Sequence, residues 1–208
     1  MTLSPLRQGL SRCFTEEQLD RIRRTRVLIA GCGGLGSNMA QMLVRSGFQN
    51  LTLIDFDVVD NSNLNRQFFF PDQLGKAKTQ ALAENLLRLE PDLELRLLPC
   101  RLTGAETAAL AEKCDILAEA FDGPESKAAF VRAAAATGKP VVCAAGLAGY
   151  GNTDQIRVRK VGSRIFAVGD GYTSIENSPP LAPRVMVAAA KEADLVLQLT
   201  LEGSAHAG

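Results

Sequence analysis

The stretch "RVLIAGCGGLGSNMAQMLVRSG", Arg26 to Gly47, reads as strand, turn and helix in direct succession. Arg26 to Gly31 is a short apolar run stopped by glycine, the pattern of a buried strand. From Gly34 the apolar residues recur at helical spacing, and Gly47 supplies the stop. Between the two, Gly31, Gly33 and Gly36 form G-x-G-x-x-G. Glycines there let the backbone approach phosphate oxygens, and a helix N-terminus offers free N–H groups and a positive dipole end. Asp55 follows nineteen positions after Gly36, where a carboxylate reaches ribose hydroxyls.

Working outward, "NLTLIDFD" is a second strand, "KAKTQALAENLLRLEP" a helix closed by Pro91, and "DLELRLLP" a third strand. "AETAALAEKC" and "ESKAAFVRAAAATG" are helices, with "DILAEAF" and "PVVCAAG" as the fourth and fifth strands. Such alternation predicts an α/β fold, a Rossmann-like, mostly parallel sheet covered by helices on both faces. Past Gly146 the pattern changes. "TDQIRVRK" and "SRIFAVG", with Gly162 between them, predict a hairpin that extends the sheet antiparallel. "ENSPPLAP" is a loop or crossover, "RVMVAAAKEADLVLQLTL" a final helix, and "EGSAHAG" a fraying tail. Upstream, "EEQLDRIRRT" is a short amphipathic helix. The chain of 208 residues is expected to be one domain: an N-terminal arm and helix (1–25), a nucleotide-binding core (26–146), and a hairpin, loop and helix (147–208).

Composition narrows the function. The 23 basic and 23 acidic side chains balance to zero, so no global field recruits nucleic acid or an anionic membrane. No apolar run approaches the roughly 20 residues of a membrane span, and the start lacks a signal-peptide stretch. A cytoplasmic protein is expected. Cys13, Cys32, Cys100, Cys114 and Cys143 include no CxxC pair, which argues against a disulfide framework or structural zinc. Glycine loop and Asp55 alone also fit an NAD-dependent oxidoreductase, although the single His206 sits in the tail.

The polar insert after the second strand adds a second signal. "GCGGLGSN", "DFDVVDNSNLNRQ", "GKAK" and "AFDG" follow one another in an order that resembles the ubiquitin-activating-enzyme superfamily, in particular its bacterial ThiF/MoeB/HesA group. The resemblance runs from about Arg26 to Gly146. It implies ATP-dependent adenylation of the C-terminal carboxylate of a small ubiquitin-like sulfur carrier protein ending in Gly-Gly. The nucleotide contacts it implies are Gly31, Gly33, Gly34, Gly36, Asp55, Asp57, Asn63, Arg66, Gln67 and Lys78. Arg66 and Lys78 would hold the phosphates, and Asp122 would position Mg2+, a hard cation suited to carboxylate and phosphate oxygens. Asp57 and Asp60 also read as loop solvation or caps, and Asn63, Asn65 and Gln67 as loop-stabilising amides. Phe68, Phe69 and Phe70 read as packing or a partner-facing surface.

Related enzymes are homodimers in which an N-terminal arginine enters the neighbour's site, which makes Arg7 and Arg12 candidates. The crossover carries no cysteine, and Cys143 lies within a strand, a poor place for an exposed thiolate. The expected reaction therefore stops at the acyl adenylate, which passes to a sulfur donor protein. Shortness and missing zinc motifs resemble the ThiF-type enzymes that activate the ThiS carrier for thiamine biosynthesis. MoaD-type and other carriers remain open, as does a non-catalytic module that only docks a carrier.

Overall fold

A computed structural model describes residues 4–202; the tail residue His206 lies outside them. Seven strands form one sheet: β1 (Arg26–Ala30), β2 (Asn50–Ile54), β3 (Glu94–Leu98), β4 (Ile116–Glu119), β5 (Val141–Ala144), β6 (Arg157–Lys160) and β7 (Ile165–Gly169). Their order is β3-β2-β1-β4-β5-β7-β6. The order reverses between β1 and β4, so a crevice opens at their carboxyl ends, where ligands of such sheets bind.

Two helices precede β1: α1 (Pro5–Leu10) and α2 (Glu16–Arg24). The sequence pattern covered α2 but not α1, whose six residues are too few for a periodic signal. Ser4 caps α1 by accepting from the Arg7 N–H, and its hydroxyl donates to Glu90. The remaining helices are α3 (Gly34–Arg45), α4 (Lys78–Leu87), α5 (Gly104–Ala111), α6 (Pro124–Ala135) and α7 (Ala182–Glu202). One face of the sheet packs on α2, α3, α4 and α7 through Ile29, Leu53, Ala118, Val142 and Phe166. The opposite face packs on α5 and α6 through Leu28, Ile54, Leu117 and Val141. Alternate strand residues thus feed the two layers, as a sheet covered on both sides requires.

The hairpin departs from expectation in one respect. β6 and β7 are antiparallel to each other, yet β7 pairs with β5 in parallel, Val141 opposite Ile165 and Cys143 opposite Ala167. The segment after β5 carries the chain to the outer edge first. The returning strand then fills the gap beside β5 and necessarily runs in β5's direction. Only β6 is antiparallel to the rest.

Candidate functional site

The glycine loop is shaped by contacts that leave no room for side chains. Gly31 has φ +103°, and a Cβ there would lie 2.5 Å from the Ala120 carbonyl oxygen. A Cβ on Gly36 would lie 1.8 Å from the Gly31 carbonyl oxygen. Only glycine lets α3 start so close to the end of β1. Gly33 is different: nothing but the Gln67 amide comes near its Cβ position, so its face is open.

Asp55 follows β2 and is buried, yet both oxygens are used. One accepts from the Cys32 N–H at 2.7 Å and the other from the Asp57 N–H at 2.9 Å. Burial raises its pKa, and those two N–H groups work against the shift. The carboxylate is thereby fixed against the glycine loop with lone pairs to spare. Lys78 opens α4 with its side chain almost fully buried, and its Nζ meets the Asp57 carboxylate at 3.0 Å. The Lys78 N–H also donates to the Asp57 carbonyl. Both bonds bring the lysine back to the end of β2.

These residues wall a cavity of about 540 Å³, together with Asp122 from the loop after β4. Its far end is lined by the β3–α5 connection and the first turns of α6. There the Arg101 guanidinium stacks over the Phe56 ring at 3.9 Å from its centroid. Arg101 was not read from the sequence, although its place just beyond β3, at the carboxyl edge of the sheet, is a signal that could have found it.

A second cavity of about 260 Å³ lies alongside. Phe121 and Asp122 line both. The second is bounded by Gly34, Arg66, Lys127 of α6, Gly146 and the crossover residues Thr173 to Glu176. Two ion pairs frame it, one buried on both sides and one with only its carboxylate fully buried. Arg184 of α7 meets Asp170 at 2.5 Å and also donates to the carbonyls of Gly151 and Asn152. Lys127 meets Glu119, the last residue of β4, at 2.5 Å. None of Asp170, Arg184, Glu119 and Lys127 was singled out in the sequence.

Of the expected site residues, the nucleotide contacts Gly31, Gly33, Asp55, Asp57 and Lys78 and the magnesium-positioning Asp122 line the larger cavity. Gly34 and Arg66 line the smaller one. Gly36, Asn63 and Gln67 line neither. Much of the insert holds itself together. Asn63 accepts from the Asp60 N–H, and Asp60 accepts from the N–H and hydroxyl of Ser62. Asn38 of α3 donates to the Arg66 carbonyl, and the Phe68 N–H donates to Ser37. Arg66 donates to the Ser62 carbonyl and Asn65. Gln67 is buried with its side-chain oxygen unpartnered beside the glycine loop. Phe69 is buried while Phe68 and Phe70 meet edge to face at 5.9 Å, which makes this run packing on its inner side.

Arg7 and Arg12 line neither cavity. Cys143 is buried in β5, and burial pushes its thiol up to about 11, away from thiolate chemistry. Among the described residues no group of three or more His, Cys, Asp or Glu could hold a metal ion. Asp122 is a single carboxylate, a donor that would suit a hard cation taking its other ligands from phosphate and water. No helix among the described residues is long and apolar enough to cross a membrane.

A glycine-walled cleft at a switch point, with a buried carboxylate and a lysine beside it, is the ligand-binding crevice of a Rossmann-like α/β protein. The ThiF family model matches residues 6–191, so the chain belongs to the ThiF family. It is 42% identical over 95 residues to ubiquitin-like modifier-activating enzyme 5 of Arabidopsis thaliana, covering 46% of this chain and 22% of that protein. The Dictyostelium discoideum enzyme of the same name is 47% identical over 75 residues, 36% of this chain and 20% of that one. The match therefore spans about a fifth of the length of these relatives. In fold the chain is similar to E. coli tRNA N6-threonylcarbamoyladenosine dehydratase, TcdA, in complex with ATP, with TM-score 0.86 and 22% identity over 100% of both chains. E. coli MccB with ATP gives TM-score 0.67 and 24% identity over 88% of this chain and 58% of that one.

Proposed function

We propose that the protein adenylates the C-terminal carboxylate of a small ubiquitin-like sulfur carrier protein ending in Gly-Gly, with ThiS of thiamine biosynthesis as the first candidate. One observation carries this reading: a glycine-walled cavity of about 540 Å³ and a smaller neighbour share a single carboxylate, Asp122. Two substrates that react with each other need such an arrangement.

ATP occupies the larger cavity, with Asp55 accepting from ribose hydroxyls and Lys78 exchanging Asp57 for phosphate oxygens. The carrier tail enters the smaller one. Its carboxylate is already an anion, so no general base is required. One carboxylate oxygen attacks the α-phosphorus while the bond to pyrophosphate breaks, giving acyl adenylate and pyrophosphate. The difficulty is accumulated negative charge, and fixed cations address it. Arg66 supplies a planar fork from the second cavity and Lys78 a point charge from the first. Asp122 would hold magnesium, which would add further neutralisation of the phosphate charge. The acyl adenylate then passes to a sulfur donor protein without a covalent cysteine intermediate. The active species is a homodimer, with Arg7 or Arg12 crossing to the neighbour's site.

The test is exchange of labelled pyrophosphate into ATP, with magnesium, in the presence and absence of a ThiS-type carrier. Carrier-dependent exchange that disappears in Asp122→Ala supports the reading. ATP binding without exchange, across ThiS-type and MoaD-type carriers, refutes it and leaves a carrier-docking module.

A further inference from the structure

Glu119 and Lys127 lie on either side of Asp122 in the chain and close on each other in space. Glu119 has no exposed surface. One of its oxygens accepts from the Phe121 N–H at 2.6 Å, the other from Lys127 Nζ at 2.5 Å. The first bond secures the strand side of the β4–α6 loop, one residue before Asp122. The second secures the helix side, one turn into α6. Asp122 is the residue caught between, in the wall of both cavities.

A buried carboxylate in this place is expensive. Glu119 stands in register with Ala30 of β1 and Cys143 of β5, in the middle of the sheet. An apolar residue would serve stability as well or better, since buried ion pairs seldom outperform apolar replacements. Fixing a loop is what an apolar residue does less well, because packing is non-directional while two charged hydrogen bonds specify position. Glu192 of α7, the neighbouring buried carboxyl, has neither oxygen hydrogen-bonded. Burial lifts its pKa to about 8, and burial likewise raises that of Glu119, with Lys127 opposing.

We propose that Glu119 and Lys127 are a positioning pair that holds Asp122 at the junction of the two cavities before either substrate binds. The inference rests on the adenylation reading for its consequence and on the two hydrogen bonds for its geometry. The pair touches no reacting atom; it acts through Asp122.

The experiment compares Glu119→Gln, Lys127→Met, Lys127→Arg, Asp122→Asn and the double variants with Asp122→Asn. Pyrophosphate exchange should fall about 10- to 100-fold in Glu119→Gln and Lys127→Met, the scale of a reacting group displaced by about an ångström. Calorimetric affinity for ATP without magnesium should change by less than about threefold, and Lys127→Arg should recover most of the exchange. Neither change should lower exchange further once Asp122 is Asn, since groups acting as a unit are not additive. Losses that add to Asp122→Asn, or that Lys127→Arg does not rescue, would overturn the proposal. Lys127→Met leaves Glu119 buried without its partner. If it does not fold, Glu119→Gln/Lys127→Met removes both charges and takes its place. Should the wild type bind ATP and exchange no pyrophosphate, the adenylation reading fails by itself. Amide hydrogen exchange then decides the pair: residues 121–123 must exchange at least about tenfold faster in the variants while the sheet is unchanged, and equal rates overturn it.

Discussion

The two cavities that meet at Asp122 are held together by different kinds of interaction. The larger is built by the backbone: glycines without room for a Cβ, and a carboxylate gripped by two N–H groups. The side chains that line it come from the ends of β2, β3 and β4, the start of α4 and the first turns of α5 and α6. The smaller is built by buried charge. Arg184 draws the loop around Gly151 and the crossover at Asp170 onto the start of α7, across 33 and 14 positions of sequence. Thr173 and Tyr172 N–H groups, with Arg184, outweigh burial and hold the Asp170 carboxyl below its ordinary range. A backbone-built site tolerates little change in residue size, whereas a charge-built one tolerates little change in ionisation.

The sharpest way to break the first cavity is Gly36→Ala. With a Cβ 1.8 Å from a backbone oxygen, the β1–α3 turn cannot close. We expect a loss beyond about 4–5 kcal/mol in denaturant unfolding, together with loss of ATP binding. Arg184→Met attacks the second cavity. It strands the Asp170 carboxylate in the interior, which costs about 3–5 kcal/mol. ATP affinity measured by calorimetry should survive within about threefold, because the first cavity shares no partner with Arg184. If ATP binding is lost with the crossover, the cavities are one cooperative unit and the contrast fails.

Next in size, Lys78→Ala should leave the fold intact and reduce pyrophosphate exchange by about 10²- to 10³-fold, the usual effect of one transition-state charge contact. Exchange at the wild-type rate would remove the lysine from the phosphate site. Glu192 sharpens the account of the charge-built side. Burial, then the nearby Glu119, lifts its carboxyl to about 8, with Lys127 opposing. The folded state therefore holds its proton more tightly than the unfolded chain. Its contribution is fully present below about pH 4.5 and is lost as pH rises to 8. Glu192→Met should raise the melting temperature at pH 8 by several degrees and leave it nearly unchanged at pH 4.5; an equal gain at both would deny the buried proton. Smallest of all, Cys143→Ala should cost about 1 kcal/mol of stability. Carrier-dependent exchange should stay unchanged, and its disappearance in a folded variant would restore a catalytic thiol.

Legibility followed the same division. The glycine loop and Asp55 could be found because each sits at a fixed offset from a strand end, visible as a break in an apolar run, whereas Lys78 and Asp122 were found through the resemblance of "GKAK" and "AFDG" to the family. Asn63 and Gln67 were read either as ligands or as loop-stabilising amides; the chain folds that stretch back onto α3 and α4, and the Asn63 side chain bonds the turn itself. Arg101 and Lys127 look like ordinary surface charges in sequence, and only their place beside the cavities separates them from the rest.

By itself the sequence determined the alternation of strands and helices, the crevice at the sheet's carboxyl edge and the glycine-walled cavity, because periodicity and close backbone approach are local properties. Only the tertiary structure decided that β7, not β6, lies beside β5, that Arg66 faces the smaller cavity, and that Glu119–Lys127 and Arg184–Asp170 close around it. Strand neighbours and buried ion pairs depend on which distant segments are excluded from water together, and no local pattern of residues records that.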